Sequence, residues 1–143
     1  MRDLKITYLI NNRILAYEIS TPIKTVSGLD NLIQRISKLI LTATGSNPLE
    51  PDLGTGFGHL AGNVNIESEE VVKNNIPVMV ESLKTQLLKE QYKAEDNGQR
   101  FSDEEYLVNL SLKSVQYDPI YNGFIIELLI TNRANNSITV TLP

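Results

Sequence analysis

One amphipathic stretch constrains this chain more than any other feature. Leu29, Leu32, Ile33, Ile36, Leu39 and Ile40 fall at steps of three and four, while Asp30, Gln34, Arg35 and Lys38 occupy other faces. That period predicts a helix with one apolar side. Ser27 is positioned to cap it, and Asp30 three residues on favours the positive end of the helix dipole. Thr42-Ala43-Thr44-Gly45 stops it.

The flanking segments carry the other period. Lys5 to Ile10 and Arg13 to Ile19 read as two β runs joined by Asn11-Asn12, and asparagine tolerates the positive φ of a tight hairpin. Thr21-Pro22 ends the second run. Near the other terminus come about Tyr106 to Tyr117, Gly123 to Thr131 and Ser137 to Leu142. In the first of these Val108, Leu110 and Leu112 alternate, and Val115 and Tyr117 then fall out of phase, which predicts a bulge near Lys113-Ser114. In the second, apolar residues occupy both faces, so both are expected to be covered. Between helix and strands, Ser68 with Glu69 and Glu70 starts a second helical pattern in which Val72, Ile76, Met79, Val80, Leu83 and Leu87 share a face to about Gln91. Pro77 predicts a kink, or a short helix followed by a longer one from near Asn75. Lys93 to Glu105, around Asn97-Gly98, reads as a turn or mobile connection. The expected fold is α+β: an N-terminal hairpin, two or three helices and a C-terminal antiparallel sheet of three strands, in one domain over residues 1–143.

Composition narrows the chemistry. Cysteine is absent, which excludes disulfide scaffolds, thiolate metal sites and cysteine nucleophiles. His59 is the single histidine, too few for most metal or triad sites. The expectation is therefore no enzyme, no catalytic or metal-binding residues and no cofactor. Leu, Ile, Val and Phe make up about a third of the chain, enough for a core. The first five residues mix both charge signs and lack a signal-peptide pattern, and no apolar run approaches the ~20 residues of a membrane-spanning helix. Basic residues are scattered among carboxylates, so neither nucleic acid nor membrane is expected as a partner.

Three segments invite a sharper reading. Gly54-Thr55-Gly56-Phe57-Gly58 looks like a phosphate loop, but no Gly-Lys-Ser/Thr follows and the run does not join a strand to a helix. Its glycines are better read as letting a long loop, Ser46 to Asn65, pack close to another backbone. Glu50 and Asp52 could form a carboxylate pair, as in a glycosidase, although residues two apart in an extended stretch read more simply as solvated or interface groups. The third segment is Ala134 to Pro143, which carries no charge and alternates Ile138, Val140 and Leu142 with Thr139 and Thr141. As a simple hairpin with Gly123 to Thr131 it leaves an outer edge, guarded by Pro143 alone, where a partner chain could add a strand.

The order of these features resembles a known family. A helix ending Leu39-Ile40-Leu41-Thr42, then Gly45-Ser46-x-Pro48 to Gly54-x-Gly56-Phe57, then helices, then Val115-x-Tyr117-Asp118-Pro119 before two closing strands, is similar to the small baseplate wedge protein of contractile phage tails. That family includes the small baseplate subunit of type VI secretion systems, once labelled lysozyme-like. The resemblance covers roughly Leu29 to Leu142. It implies a non-enzymatic part of the baseplate inner ring, present in several copies, partnered by other wedge subunits and by the tail sheath protein, and resident in the virion after assembly in the host cytoplasm. It also implies a sheet that templates the sheath by strand addition, with Pro48, Gly54, Gly56, Phe57, Ile138, Val140 and Leu142 as interface candidates. One departure stands out. Family members often carry Glu-Pro-Arg before the first of the three strands; Lys93 to Glu105 has no such triplet, and neither Glu90 nor Arg100 is carried over. The alternatives are a peptidoglycan hydrolase, from the old label and Glu50 with Asp52, and a soluble regulatory adaptor of the same fold.

Overall fold

The computed structural model describes residues 3–4, 7–10, 13–17, 25–57, 69–120 and 123–142. Seven strands and two helices are present among them: β1 (Asp3–Leu4), β2 (Thr7–Ile10), β3 (Arg13–Tyr17), β4 (Thr25–Val26), α1 (Leu29–Leu41), α2 (Glu69–Asp96), β5 (Leu107–Asp118), β6 (Gly123–Asn132) and β7 (Ser137–Leu142). β5, β6 and β7 form an antiparallel sheet, so the chain is α+β. β2 and β3 also pair antiparallel. The Asn11-Asn12 connection and Thr21-Pro22 lie outside the described residues.

The apolar period of α1 does what its spacing predicts: Leu32, Ile33, Ile36, Leu39 and Ile40 are all buried. Its start does not. Ser27 is exposed, and the N-cap is Gly28, at φ +62° with no capping side chain of its own. The cap arrives from far along the chain. Glu105 accepts from the Gly28 N–H at 3.2 Å and from the Asn31 amide at 3.0 Å through the same carboxylate oxygen, and its other oxygen accepts from the Ser102 N–H at 3.2 Å. A Cβ on Gly28 would collide with the Glu104 carboxylate, and its φ is one that glycine adopts most readily.

α2 runs without a break from Glu69 to Asp96, through Pro77. The expected division near Asn75 is absent; Pro77 sits on the exposed side of the helix, away from the packed face of Ile76, Val80, Leu83 and Leu87. The helix also outlasts its expected end at Gln91. Gly98, at φ +80°, closes it: the Gly98 N–H donates to the Glu95 carbonyl and the Gln99 N–H to the Ala94 carbonyl, both at 2.9 Å. This is the paired 5→2 and 6→1 pattern of a glycine-terminated helix. Lys93 to Asp96 thus belongs to the helix, and Asn97-Gly98 is its stop signal.

β6 alternates as read, with Phe124, Ile126, Leu128 and Ile130 buried. Ile125 and Leu129 on its other face are half-buried. The register of β5 against β6 slips between Leu112 and Ser114, at the bulge the phase change predicts, and slips again between Leu107 and Asn109. The larger correction concerns β7. The five-stranded sheet has the order β2-β3-β7-β6-β5, so β7 is an interior strand. β6 pairs antiparallel with it from Ile126↔Leu142 to Thr131↔Ser137, and β3 pairs parallel on its other side at Arg13↔Thr141. The expected free outer edge is met by the N-terminal part of the chain at that one pair. β1 pairs with β4 just before α1.

The core lies where α1, α2 and the sheet meet, and it includes Phe57, Leu107, Leu110 and Val140. Burying each such aliphatic or aromatic side chain contributes roughly 1.5–3 kcal/mol. Two outcomes follow for stability. Removing residues 137–143 takes out an interior strand together with Val140, so circular dichroism should show no cooperative melt. Burial alone would raise the Glu105 pKa, but hydrogen bonds from the Asn31 amide and the Ser102 N–H reverse this and hold it below the ordinary 4.5. Its stabilising contribution is therefore complete above about pH 4.5 and lost as pH falls through the lower folded value. Urea midpoints measured from pH 7 to pH 3 should fall less steeply for Glu105→Gln than for the parent chain.

Candidate functional site

The loop after α1 is built by backbone contact. α1 ends at Thr42, whose extended φ and ψ turn the chain away and whose hydroxyl donates to the Lys38 carbonyl at 2.8 Å. Thirteen residues of sequence later the chain returns alongside: Ala43 and Thr55 form a parallel bridge, and the Thr55 N–H donates to the Thr42 carbonyl at 2.8 Å. The Thr55 hydroxyl donates to the Ile40 carbonyl at 2.9 Å. So close an approach leaves no room beside Gly54, where a Cβ would strike the Thr42 carbonyl oxygen and φ is +106°.

α2 fixes the returning strand from its other side. The Gly54 N–H donates to the Gln86 side-chain oxygen at 2.9 Å, and the Gln86 amide donates back to the Gly54 carbonyl at 2.9 Å. A primary amide here satisfies both polar groups of one residue, as a neighbouring strand would. Gln91 repeats the arrangement on β5: the Leu107 N–H donates to its oxygen at 2.7 Å, and its amide donates to the Leu107 carbonyl at 3.2 Å. Between these anchors the loop tip from Ser46 to Asp52 projects outward. The Gly45 N–H closes its base onto the Pro51 carbonyl at 2.9 Å, and Leu49 at the tip is 90% exposed.

The seven interface candidates therefore separate into different environments. Pro48 is exposed on the tip. Gly54 is buried against Thr42 and Ala43, and Gly56 sits against the Met79 methyl. Phe57, 7% exposed, and Val140, 1% exposed, belong to the chain's own core, where neither side chain presents a surface to a partner. Ile138 packs against that core. Leu142 ends β7, and only its backbone is described. The reason is common to Phe57, Val140 and Ile138: alternation along a strand and an aromatic in a loop are also the pattern of residues that fill a core.

Glu50 and Asp52 are both exposed at the tip, and Glu50 forms an ion pair with Lys93 of α2 at 3.3 Å. His59 lies outside the described residues, as does the rest of the loop from residue 58. Among the described residues no three His, Cys, Asp or Glu side chains gather in a way that could hold a metal ion, and no helix is long and apolar enough to cross a membrane. Glu90 lies 3.9 Å from the largely buried Arg35 of the same chain, which also stacks 4.8 Å over the Phe101 ring. Burial raises the Glu90 pKa and lowers that of Arg35, while their mutual attraction opposes both shifts. Arg100 is exposed.

The residues that hold this region in place, Gln86, Gln91 and Glu105, escaped the sequence reading. One signal for Gln91 was available: it continues the Leu83, Leu87 row at the next step of four, on the buried face. Comparison with protein-family models, with curated proteins and with solved structures found no match.

The geometry at Gly54 makes a direct claim. Gly54→Ala forces a Cβ into the Thr42 carbonyl at a left-handed φ, and should cost about 3 kcal/mol from backbone strain and overlap combined. Gln86→Ala, which removes two hydrogen bonds but adds no clash, should cost about 1–3 kcal/mol. Chemical denaturation of the two variants measures both, and a Gly54→Ala chain as stable as the parent contradicts the close approach.

Proposed function

We propose that this chain is a structural subunit of a contractile phage tail or related injection machine. It sits in the baseplate inner ring among other wedge subunits and nucleates the tail sheath by β-strand addition. It works without catalysis or a cofactor, through backbone surfaces. In this reading the N-terminal hairpin and the helices carry the sheet, and the chain resides in the virion as part of a symmetric ring of copies.

The observation that carries the proposal is β7. It is six residues long, uncharged and in unbroken register with β6. Strand addition needs such a ladder, because main-chain hydrogen bonds supply the affinity and any kink interrupts them. The motif order from Leu39 to Phe57 and from Val115 to Pro119 supports the same family of machines. A peptidoglycan hydrolase is less well supported, since Glu50 is engaged by Lys93 on an exposed tip, whereas a catalytic acid is normally desolvated in a cleft.

Deleting the gene from its source and examining tails by electron microscopy tests this proposal. Tubes and partial baseplates lacking sheath, restored by the complete chain in trans, are expected. Tails with normal sheath in the deletion strain sink it.

A further inference from the structure

The first turns of α1 hold a buried polar pair that the described residues do not satisfy. Asn31 is 1% exposed, and its side-chain oxygen Oδ1 has no hydrogen-bond partner among them. Neither has Nη1 of Arg35, which is also withdrawn from solvent. The first atom is an acceptor and the second a donor. They belong to residues four apart on one helix, where side chains are neighbours and a long one leans back over the preceding turn. Left unmet, each carries its full desolvation penalty.

The surroundings explain why the two do not simply bond to each other. The Asn31 amide nitrogen donates to Glu105 at 3.0 Å. Burial alone would raise the Glu105 pKa, but its hydrogen bonds hold it below 4.5, so at neutral pH this carboxylate only accepts. That fixes which end of the Asn31 amide faces Glu105 and leaves Oδ1 as the other end. Arg35 is held elsewhere: its guanidinium lies 4.8 Å over the Phe101 ring, and Nη2 is 3.9 Å from Glu90, beyond hydrogen-bond length. The charges of Glu90 and Glu105 both act on it. An anion bound here would be repelled by two carboxylates, and a cation by the guanidinium. The species that fits is small and neutral, and it both accepts and donates.

We infer that one ordered water molecule is bound between Asn31 and Arg35, accepting from Nη1 and donating to Oδ1. Its second hydrogen serves a third partner, since a buried water commonly makes about three hydrogen bonds. The site stands apart from the baseplate reading and does not depend on it. It completes a polar chain from the start of α1 to α2: Gly28 and Ser102 on Glu105, Glu105 on Asn31, Asn31 through the water to Arg35, and Arg35 against Glu90. The distant cap of α1 and the α1–α2 ion pair thereby become one network.

High-resolution crystal structures of the complete chain and of its Arg35→Met variant test this. Methionine keeps an apolar stem over Phe101 and removes every donor of the guanidinium. In the parent map a single, fully occupied water is expected at roughly 2.7–3.2 Å from both Asn31 Oδ1 and Arg35 Nη1. In the variant that peak should fall to less than half occupancy. A parent map with no water there, or with the two atoms bonded directly to each other or to other protein groups, overturns the site. A water at full occupancy in Arg35→Met overturns the part assigned to Arg35. Should the variant fail to fold, the parent map decides alone.

Discussion

The fold depends on β7 being paired on both sides. One neighbour, β6, is its hairpin partner in sequence; the other, β3, comes from the opposite end of the chain. Without β3 the sheet would end in an uncharged strand with its polar backbone exposed, a template for aggregation. Without β7 the N-terminal strands would have no sheet to join, because the order β2-β3-β7-β6-β5 connects them through β7 alone. Sheet and core are also linked here, since Val140 of β7 packs among Leu128 and Ile130 of β6 and the helical residues behind them.

Outside the sheet, much of the backbone is satisfied by side chains reaching from distant elements. Gln86 pairs with Gly54, Gln91 with Leu107 and Glu105 with Gly28 and Ser102. At the β6–β7 turn, the Asn132 amide donates to the Glu104 carbonyl at 3.0 Å and its oxygen accepts from the Asn136 N–H at 2.9 Å. Each of these groups would otherwise be a buried donor or acceptor lacking a ladder partner, at a cost of about 1–3 kcal/mol. Together these contacts tie α1, α2 and the start of β5 to one another alongside the shared core. Arg35 adds a further link between α1 and α2 through Glu90.

What could be read in the sequence was local and periodic. The α1 stripe, the β6 alternation and the phase slip at Lys113 each follow from neighbours within a few residues, and each appears where it was expected. Where the reading failed, the deciding partner was distant. Ser27 is a good cap by type, but Glu105 lies 77 residues from Gly28 and takes the helix start instead. β7 carries the composition of an exposed edge only if β3, more than a hundred positions earlier, is left out of account. The end of α2 failed for a different reason: Lys93 to Asp96 carries no large apolar residue to continue the buried row, and only the Gly98 geometry shows that this last turn still belongs to the helix. Phe57 and Val140 illustrate the ambiguity of apolar residues, which mark an interface and a core with the same letters.

The pairing of β3 with β7 joins segments more than a hundred positions apart. A long-range pair such as Arg13↔Thr141 closes a far longer span of chain than the β5–β6 and β6–β7 hairpins, and so carries the larger loop-closure entropy. That pair therefore depends on the packing of what lies between its halves, α1, α2, β5 and β6, which share one core.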